Sequence, residues 1–340
     1  MSRRARRDER VLLSDGDVRG YRPLREVLAE HLRVARGVAC SADQIVIVPS
    51  VQQALDVAAR LTLDAGDEVW MEDPGYAGAR AVLQAAGATI VPVPVDAQGI
   101  DVAAGVRRAP RARLAYVTPG HQAPLGVTLT IDRRLALLGW ARQSLALVVE
   151  DDYDSEYRYE GRPVPALQGL DRAGVVLHLG TFSKTLLPSL RLAYAVVPDA
   201  LLDPFAAAKS ILDRFTPPLG QAVLADFLDG GHFGRHLRRM REIYAERRAA
   251  LLAAITAELG GALTVVGASA GLDLAARLPK GTDDRALADE LAAAGVETLA
   301  LSRHALERRD VSGLLLGFAA FSLARLRRSV ATASATILGR

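Results

Sequence analysis

Short, almost wholly apolar runs alternate with amphipathic stretches through the first two thirds of the chain. Between the runs, apolar residues recur at helical spacing, most clearly at residues 51–63, 77–86 and 133–144. Such strands, interleaved with helices, are typical of a mostly parallel sheet covered on both faces. We therefore predict an α/β fold whose large domain holds a mostly parallel seven-stranded sheet. The seven predicted strands are residues 45–48, 68–71, 89–95, 114–117, 145–149, 175–179 and 192–197.

The pattern changes after Pro198. Two helices are predicted at residues 201–213 and 218–248, the second rich in arginine, which we interpret as a solvent- or partner-facing surface. A helix at 283–294 then lies among four further predicted strands, which indicates a smaller C-terminal α+β domain. The predicted organisation is a basic N-terminal arm (1–14), a large α/β domain (15–215), and a linking helix with the small domain (216–340). The four strands are predicted at residues 263–266, 272–278, 297–301 and 314–318.

Polar and charged residues collect directly after the strands of the predicted large sheet. Ligands of open parallel sheets bind at the carboxyl ends of the strands, so we expect the functional site at this edge. The convergence of five such segments carries more weight than any one of them. They are residues 49–52, 72–76, 118–122, 150–153 and 181–184.

The composition of the chain argues against several classes of function. The 340 residues carry a formal charge of only +3, so charge does not imply nucleic-acid binding. A single cysteine, Cys40, excludes an internal disulfide and a multi-cysteine metal site, and the six histidines show no paired metal spacing. No apolar run reaches the roughly 18 residues of a membrane helix, and we expect a cytoplasmic protein with no metal and no membrane partner.

One lysine stands out at the end of the sixth predicted strand. Lys184 lies between Ser183 and Thr185, and on this local motif alone an ordinary loop lysine is the simpler interpretation. A lysine amine can also form a Schiff base with the aldehyde of pyridoxal 5′-phosphate (PLP), whose ring then acts as an electron sink. That sink works best when a carboxylate keeps the ring nitrogen protonated, a role open to Asp151 or Asp152.

The remaining parts of a PLP site are also present at the strand ends. The aromatic face of Tyr76 can stack on the ring. A phosphate requires backbone N–H groups at a helix start, which Val51 and Gln52 can supply, and a bidentate cation, for which Arg191 is the candidate.

The motifs resemble those of the fold-type I, class I/II aminotransferase superfamily, and most closely the aminotransferase-like domain of MocR/GabR-type transcriptional regulators. The resemblance implies PLP as cofactor and a homodimer with sites at the subunit interface. It implies Lys184 as the Schiff-base lysine, Asp151 as the partner of the ring nitrogen (with Asp152 as the alternative), and Tyr153 near the ring hydroxyl. It further implies stacking by Tyr76 and a phosphate cup of Val51, Gln52, Thr181 and Arg191. The segments that carry it are GDVRGYRPLRE (16–26), QQAL (52–55), EDPGY (72–76), TPGHQAPLG (118–126), EDDYDSEY (150–157), GTFSKT (180–185) and GHFGRHLRRMR (231–241).

Several positions depart from the family pattern. Asp15 stands where the family often has a tyrosine that reaches a neighbouring subunit's phosphate, and Ala123 where enzymes have asparagine. Leu315 stands where many aminotransferases carry the arginine that binds the substrate carboxylate. Arg22, Arg214 and Arg303 are the candidates to replace it. The phosphate loop reads Pro49-Ser50-Val51 instead of small-Gly-small, so we expect a reshaped loop.

Two functions follow from these observations. The first is a PLP-dependent, aminotransferase-like enzyme that acts on a small amine or amino acid by transamination or related Cα or Cβ chemistry. The second is the effector-sensing domain of a MocR/GabR-type regulator without its winged-helix domain, in which case this chain alone is not expected to bind nucleic acid. The intact lysine and aspartate favour the first, and Leu315 in place of an arginine favours the second.

Overall fold

The structure is a computed structural model, and it describes residues 16–339. The predicted arm (1–14) and Asp15 lie outside the described residues. Within them, the large sheet contains all seven predicted strands and one addition, the two-residue strand β4, which is too short for any periodicity to reveal. Its strands are β1 (Ile45–Val48), β2 (Glu68–Asp73), β3 (Thr89–Asp96), β4 (Gly99–Ile100), β5 (Leu114–Val117), β6 (Leu147–Asp152), β7 (Val176–Thr181) and β8 (Ala193–Val196).

The strands of the large sheet follow the order β1-β8-β7-β6-β5-β2-β3-β4. β2, β3, β5, β6 and β7 run parallel to their neighbours among themselves, while β8 is antiparallel to both β7 and β1, and β4 is antiparallel to β3. Apart from Glu68, Thr89 and Asp96 at the strand ends, the residues of the longer strands are buried or half-buried, as expected for a sheet covered on both faces. The predicted α/β class is therefore confirmed.

Helices cover the large sheet on both faces. The first of them begins beside Pro23, whose fixed φ suits a first turn, and ends at Gly37, whose φ of 64° is the left-handed conformation of a helix C-cap. The helices of this part are α1 (Arg22–Arg36), α2 (Val51–Thr62), α3 (Ala77–Ala85), α4 (Val102–Arg108), α5 (Ile131–Ser144), α6 (Phe182–Thr185) and α7 (Asp199–Asp213).

The single helix predicted at 218–248 is wrong, because the structure has two helices there. α8 (Pro218–Asp229) ends before Gly230, and α9 (His232–Leu259) begins after Gly231, which has φ 65°. A left-handed residue cannot lie inside an α-helix, so the chain changes direction at this glycine pair.

Of the α9 arginines predicted to form a solvent- or partner-facing surface, Arg235, Arg238, Arg239 and Arg241 are exposed, and Arg247 and Arg248 are half-buried. Arg241 donates to the carbonyl of Glu156 at 2.8 and 3.1 Å, and Arg248 contacts the Glu160 carboxylate. These arginines therefore tie α9 to the segment that follows β6.

A second sheet lies in the C-terminal part, with the antiparallel order β11-β12-β10-β9. Leu274 and Leu314 on one of its faces are buried in a core with the helices, while Ala275 and Leu315 on the other pack beside Leu125 of the large-sheet side. The elements are β9 (Thr264–Val266), β10 (Asp273–Arg277), α10 (Asp284–Ala293), β11 (Leu299–Ala300), β12 (Gly313–Gly317) and α11 (Leu323–Leu338). The domain boundary at residues 215 and 216 stays a prediction.

Among residues 16–339, no helix combines the length and apolar character needed to cross a membrane.

Candidate active site

Lys184 lies on α6, the single helical turn that follows β7. Thr181 at the end of β7 caps this turn, its hydroxyl accepting from the backbone N–H of Ser183 at 3.1 Å. The Lys184 side chain is exposed and has no hydrogen-bond partner within residues 16–339, while its charge acts on the nearby carboxylate of Asp273 at the start of β10. The lysine is thus presented at the carboxyl edge of the sheet, beside the second sheet.

The neighbouring strand β6 ends in two carboxylates that point in opposite directions. Asp151 is buried, and its Oδ2 accepts from the Tyr116 hydroxyl at 2.5 Å, while its Oδ1 has no partner in the described part of the chain. Burial raises the pKa of Asp151 to about 6, against the lowering effect of the Tyr116 hydrogen bond. Asp152 is instead paired with the buried guanidinium of Arg36 at 2.7 Å. Both aspartates keep an Oδ1 without a hydrogen-bond partner in the described residues, but only Asp152 is already neutralised by a guanidinium.

Tyr153 forms part of a group that sequence reasoning did not assign. Its hydroxyl lies 3.1 Å from Nδ1 of His121, and the same nitrogen lies 3.0 Å from the Asp154 carboxylate. Burial disfavours the charged imidazole, yet Asp154 outweighs it and raises the pKa of His121. Burial, together with the Asp154 charge, raises the pKa of Tyr153, so its phenol stays protonated. The signal in the sequence was the presence of both residues at adjacent strand ends.

Glu72 joins the end of β2 to the loop after β5. Its Oε2 accepts from the Thr118 hydroxyl at 2.7 Å and from the Gln122 amide at 3.1 Å. Burial raises the pKa of Glu72 to about 7, although both hydrogen bonds lower it. The residue holds the loop that carries His121 against the sheet.

The start of α2 has the features of an anion site. Ser50 is the N-cap, and its hydroxyl accepts from the backbone N–H of Gln53 at 3.2 Å. This leaves the N–H groups of Val51 and Gln52, in the first helical turn, free to point at an anion. Ser50 has φ −163°, an extended backbone that any residue adopts, so the loop needs no glycine and the expected reshaping is not required here.

Tyr76 lies beside this helix start, while Arg191 precedes β8. The Gln52 amide donates to the Tyr76 hydroxyl at 3.0 Å, which places the aromatic ring beside α2. Arg191 has φ 50° and an exposed side chain with no hydrogen-bond partner among residues 16–339. Its guanidinium is therefore available to a ligand.

Comparison with known proteins agrees with this geometry. The family model "Aminotransferase class I and II" matches residues 3–309. The chain belongs to this family. Membership of the class I and II aminotransferases confirms the predicted cofactor, PLP.

Both regulators and enzymes occur among the relatives. The probable rhizopine catabolism regulatory protein MocR of Rhizobium meliloti is 42% identical over 330 residues, which are 97% of this chain and 66% of that protein. The 2-aminoadipate transaminase of Thermus thermophilus is 32% identical over 322 residues, covering 89% of this chain and 79% of the enzyme. The chain spans about two thirds of the length of the curated regulators that it matches.

The structural likeness extends over the whole chain. The crystal structure of Pyrococcus horikoshii kynurenine aminotransferase, in complex with PMP and with kynurenine as substrate, matches with a TM-score of 0.92 at 28% identity, covering 99% of this chain and 85% of that one. This confirms the fold-type I architecture of the aminotransferase family.

The residues present fit the family's cofactor. The unpartnered Oδ1 of buried Asp151 suits a protonated ring nitrogen, and the free helix start of α2 suits a phosphate. The amine of Lys184 follows the strand next to Asp151, since Asp151 pairs with Leu179 in the register of β6 and β7.

The departures from the family pattern are visible in the same region. Leu315 on β12 packs against the apolar cluster that contains Leu125 of the site loop. Two of the arginines considered as replacements are occupied on the surface: Arg22 pairs with Glu26 at 2.8 Å, and Arg303 lies 3.6 Å from a carboxylate of Asp289.

The third candidate arginine and Ala123 lie elsewhere in the chain. Arg214 follows the end of α7 with φ 59°. The backbone N–H of Ala123 donates to the Thr118 hydroxyl at 3.0 Å, so Ala123 contributes its main chain and no polar side chain to the site loop.

Proposed function

We propose that this aminotransferase-family chain holds PLP on Lys184 and acts on small primary amines or amino acids by transamination or related chemistry. The observation that carries the proposal is the unpartnered Oδ1 of Asp151, a buried carboxylate oxygen one strand away from an exposed lysine. A buried carboxylate oxygen without a hydrogen-bond partner destabilises the protein unless a ligand donates a hydrogen bond to it. A protonated ring nitrogen does so.

Each further residue has a defined task in this proposal. PLP, when bound, supplies an aldehyde that condenses with primary amines and a ring that withdraws electrons from the adjacent carbon. Val51 and Gln52 present backbone N–H groups to the phosphate, and Arg191 and Thr181 add donors beside it. Tyr76 covers one face of the ring.

Proton handling falls to Lys184 and Tyr153. The Nζ of Lys184, when free, is the group that takes up and returns a proton at the substrate carbon. The Tyr153 hydroxyl, held 3.1 Å from His121, stays protonated and donates to an oxygen on the ring. His121 and Asp154 orient Tyr153 through this contact.

The test is the absorbance of the PLP-loaded protein. Lys184→Ala should abolish the band of lysine-bound cofactor, whereas Lys280→Ala, which removes an exposed lysine of the C-terminal part, should keep it. Amines should then shift the band of the wild type and of Lys280→Ala. An unchanged band in Lys184→Ala would overturn the assignment of the lysine.

A second candidate is amine sensing without turnover. One support is the MocR relative, whose alignment covers 97% of this chain. The other is Leu315, which stands in place of a carboxylate-binding arginine. A sensor only has to bind its effector and shift between conformations. With a 2-oxo acid present to accept the amino group, amines that change the spectrum while their concentration stays constant over many hours would favour sensing, and their consumption would favour the enzyme.

We also propose a homodimer, as the resemblance to fold-type I proteins implies. Light scattering of the PLP-loaded protein should give twice the 36.2 kDa of one chain. A monomer at micromolar concentration would contradict this.

A further inference from the structure

One face of the second sheet is turned towards Lys184. Asp273 pairs with Gly317 and Ala275 with Leu315 in the register of β10 and β12, and alternate residues of a strand share a face. Ala275 and Leu315 pack in the cluster that contains Leu125 of the site loop, so this face looks towards the site. Asp273 lies on the same face.

Asp273 is the charged group at the end of this face nearest Lys184. Burial raises the pKa of its carboxyl, the positive charge of Lys184 lowers it, the negative charge of Asp154 raises it, and the charge of His121 lowers it. The carboxylate has no hydrogen-bond partner within residues 16–339. Asp154 is already engaged by His121 at 3.0 Å. Asp273 therefore offers the site a negative charge without a fixed partner.

The positive charge on this face lies at the other end of β10. Arg277 follows Asp273 by four residues, about 13 Å along an extended strand. There it lines a cleft of about 530 Å³ with Leu125, Arg308 and Val95. A carboxylate on the reacting carbon of a substrate would lie beside Lys184, far from Arg277 and close to Asp273.

The proposed function, on which this step rests, leaves the substrate class open. We propose that Asp273, with Leu315 in place of an arginine, selects primary amines that carry a second cationic nitrogen, that is diamines, over amino acids with a carboxylate near the reacting amine. A carboxylate beside Asp273 would meet like charge, whereas a distal ammonium would donate hydrogen bonds to the carboxylate oxygens of Asp273.

The test compares three probes built on the same five-carbon amine: cadaverine, pentylamine and norleucine, which is pentylamine with a carboxylate on the carbon that bears the amine. Their affinities for the PLP-loaded protein are measured by calorimetry and by the shift of the absorbance band. The wild type should bind cadaverine roughly tenfold to a hundredfold more tightly than pentylamine, the range of a hydrogen bond to a charged group. Norleucine should bind more weakly than pentylamine.

Asp273→Asn keeps the shape of the side chain and removes its charge. It should bring the affinities for cadaverine and pentylamine to within about threefold of one another while the band of lysine-bound PLP remains. Glu297→Gln is the matched control: it neutralises an exposed carboxylate beside the helices of the small sheet and should leave the wild-type preference unchanged.

The outcomes separate this inference from the proposed function. Equal affinities for cadaverine and pentylamine in the wild type, or an undiminished preference in Asp273→Asn, would overturn the role of Asp273 alone. An intact lysine-bound band with no response to any of the three amines would overturn the proposed function and this inference with it.

Discussion

Two adjacent aspartates show how a single position along a strand decides what a side chain does. Asp151 and Asp152 are both buried, yet successive residues of a strand point to opposite faces. Each keeps an Oδ1 without a partner in the described residues, but Asp151 is bonded to the neutral Tyr116 hydroxyl, whereas Asp152 is neutralised by Arg36. The first is therefore a candidate for ligand binding and the second stabilises the fold.

Exchanging each aspartate for asparagine should separate these roles. Asp151→Asn should keep the lysine-bound PLP band but slow its response to amine by about a hundredfold, because a buried preorganised charge is lost. Asp152→Asn should leave that response within a few-fold of wild type and lower the free energy of unfolding by about 3–5 kcal/mol, since it leaves Arg36 buried and unpaired. Stopped-flow absorbance and urea denaturation of both variants measure the two effects. The reverse assignment of effects would show that Asp152 is the ring-nitrogen partner.

The sequence predicted the position of residues that directly follow a strand. It did not predict contacts between residues that are far apart in the chain. Lys184 and Asp151 follow apolar runs, so periodicity placed them at the correct edge of the sheet. The partnership of Arg36 with Asp152 joins residues 116 apart, and nothing in either local pattern indicates it. The contact of His121 with Asp154 was missed for the same reason, since pairing between strand ends depends on strand order.

At the scale of elements, the buried carboxyl group of Glu72 connects the end of β2 to the loop that follows the neighbouring strand β5. The raised pKa of Glu72, about 7, means that the folded state holds a proton which the unfolded chain releases above about pH 4.5. Between these values the contribution of Glu72 to stability falls as the pH rises. The ionised acid thus destabilises the fold above neutral pH.

Glu72→Gln should remove this dependence in the cofactor-free protein. The free energy of unfolding of the variant, relative to wild type, should rise by up to about 3 kcal/mol from pH 4.5 to pH 8. Glu68→Gln, at the exposed beginning of the same strand, is the control and should show no comparable rise. Urea denaturation across this range measures both, and a flat difference for Glu72→Gln would contradict the argument.

The boundary between α8 and α9 shows where an element-level prediction failed. The helical spacing continues through the glycine pair, so the pattern indicated one helix, while the left-handed φ of Gly231 divides it. Periodicity reports which face is apolar, and it does not report a change of direction between two helices that both bury such a face.

Two glycine substitutions should therefore have opposite signs. Gly231→Ala should lower the free energy of unfolding by about 1 kcal/mol or more, because alanine is strained at φ 65°. Gly234→Ala, three residues on and inside α9, has room for a methyl group, with only the Arg238 guanidinium near at 3.7 Å, and should raise stability by up to about 1 kcal/mol. Thermal and chemical denaturation measure both; stabilisation by Gly231→Ala would show that the helix break is not required.

At the scale of the whole molecule, one buried carboxylate joins the two sheets. Asp73 at the end of β2 accepts from the backbone N–H groups of Leu306, Glu307 and Arg308 at 2.7, 2.9 and 3.1 Å. These three residues follow β11 of the small sheet. The hydrogen bonds therefore fix the position of the C-terminal part relative to the site.

Asp73→Asn should loosen this connection. We expect a loss of about 2 kcal/mol in the free energy of unfolding, since charged hydrogen bonds become neutral, and faster hydrogen exchange at residues 306–308. The control is Asp96→Asn, at the end of β3, which removes an exposed ion pair with Arg133. It should lower the free energy of unfolding by about 0.5 kcal/mol or less. Unchanged exchange at residues 306–308 in Asp73→Asn would contradict the role of the carboxylate.

The turn that leads from Asp73 to Tyr76 has a mechanical consequence. Its middle is held by the C-terminal part as well, since the N–H of Gly75 donates to the carbonyl of His304 at 3.0 Å. Tyr76, the residue proposed to stack on the cofactor ring, is thus connected to the C-terminal part as well as to the large sheet. Any displacement of the small sheet by a bound amine would tilt Tyr76, so the ring itself would register the position of the C-terminal part.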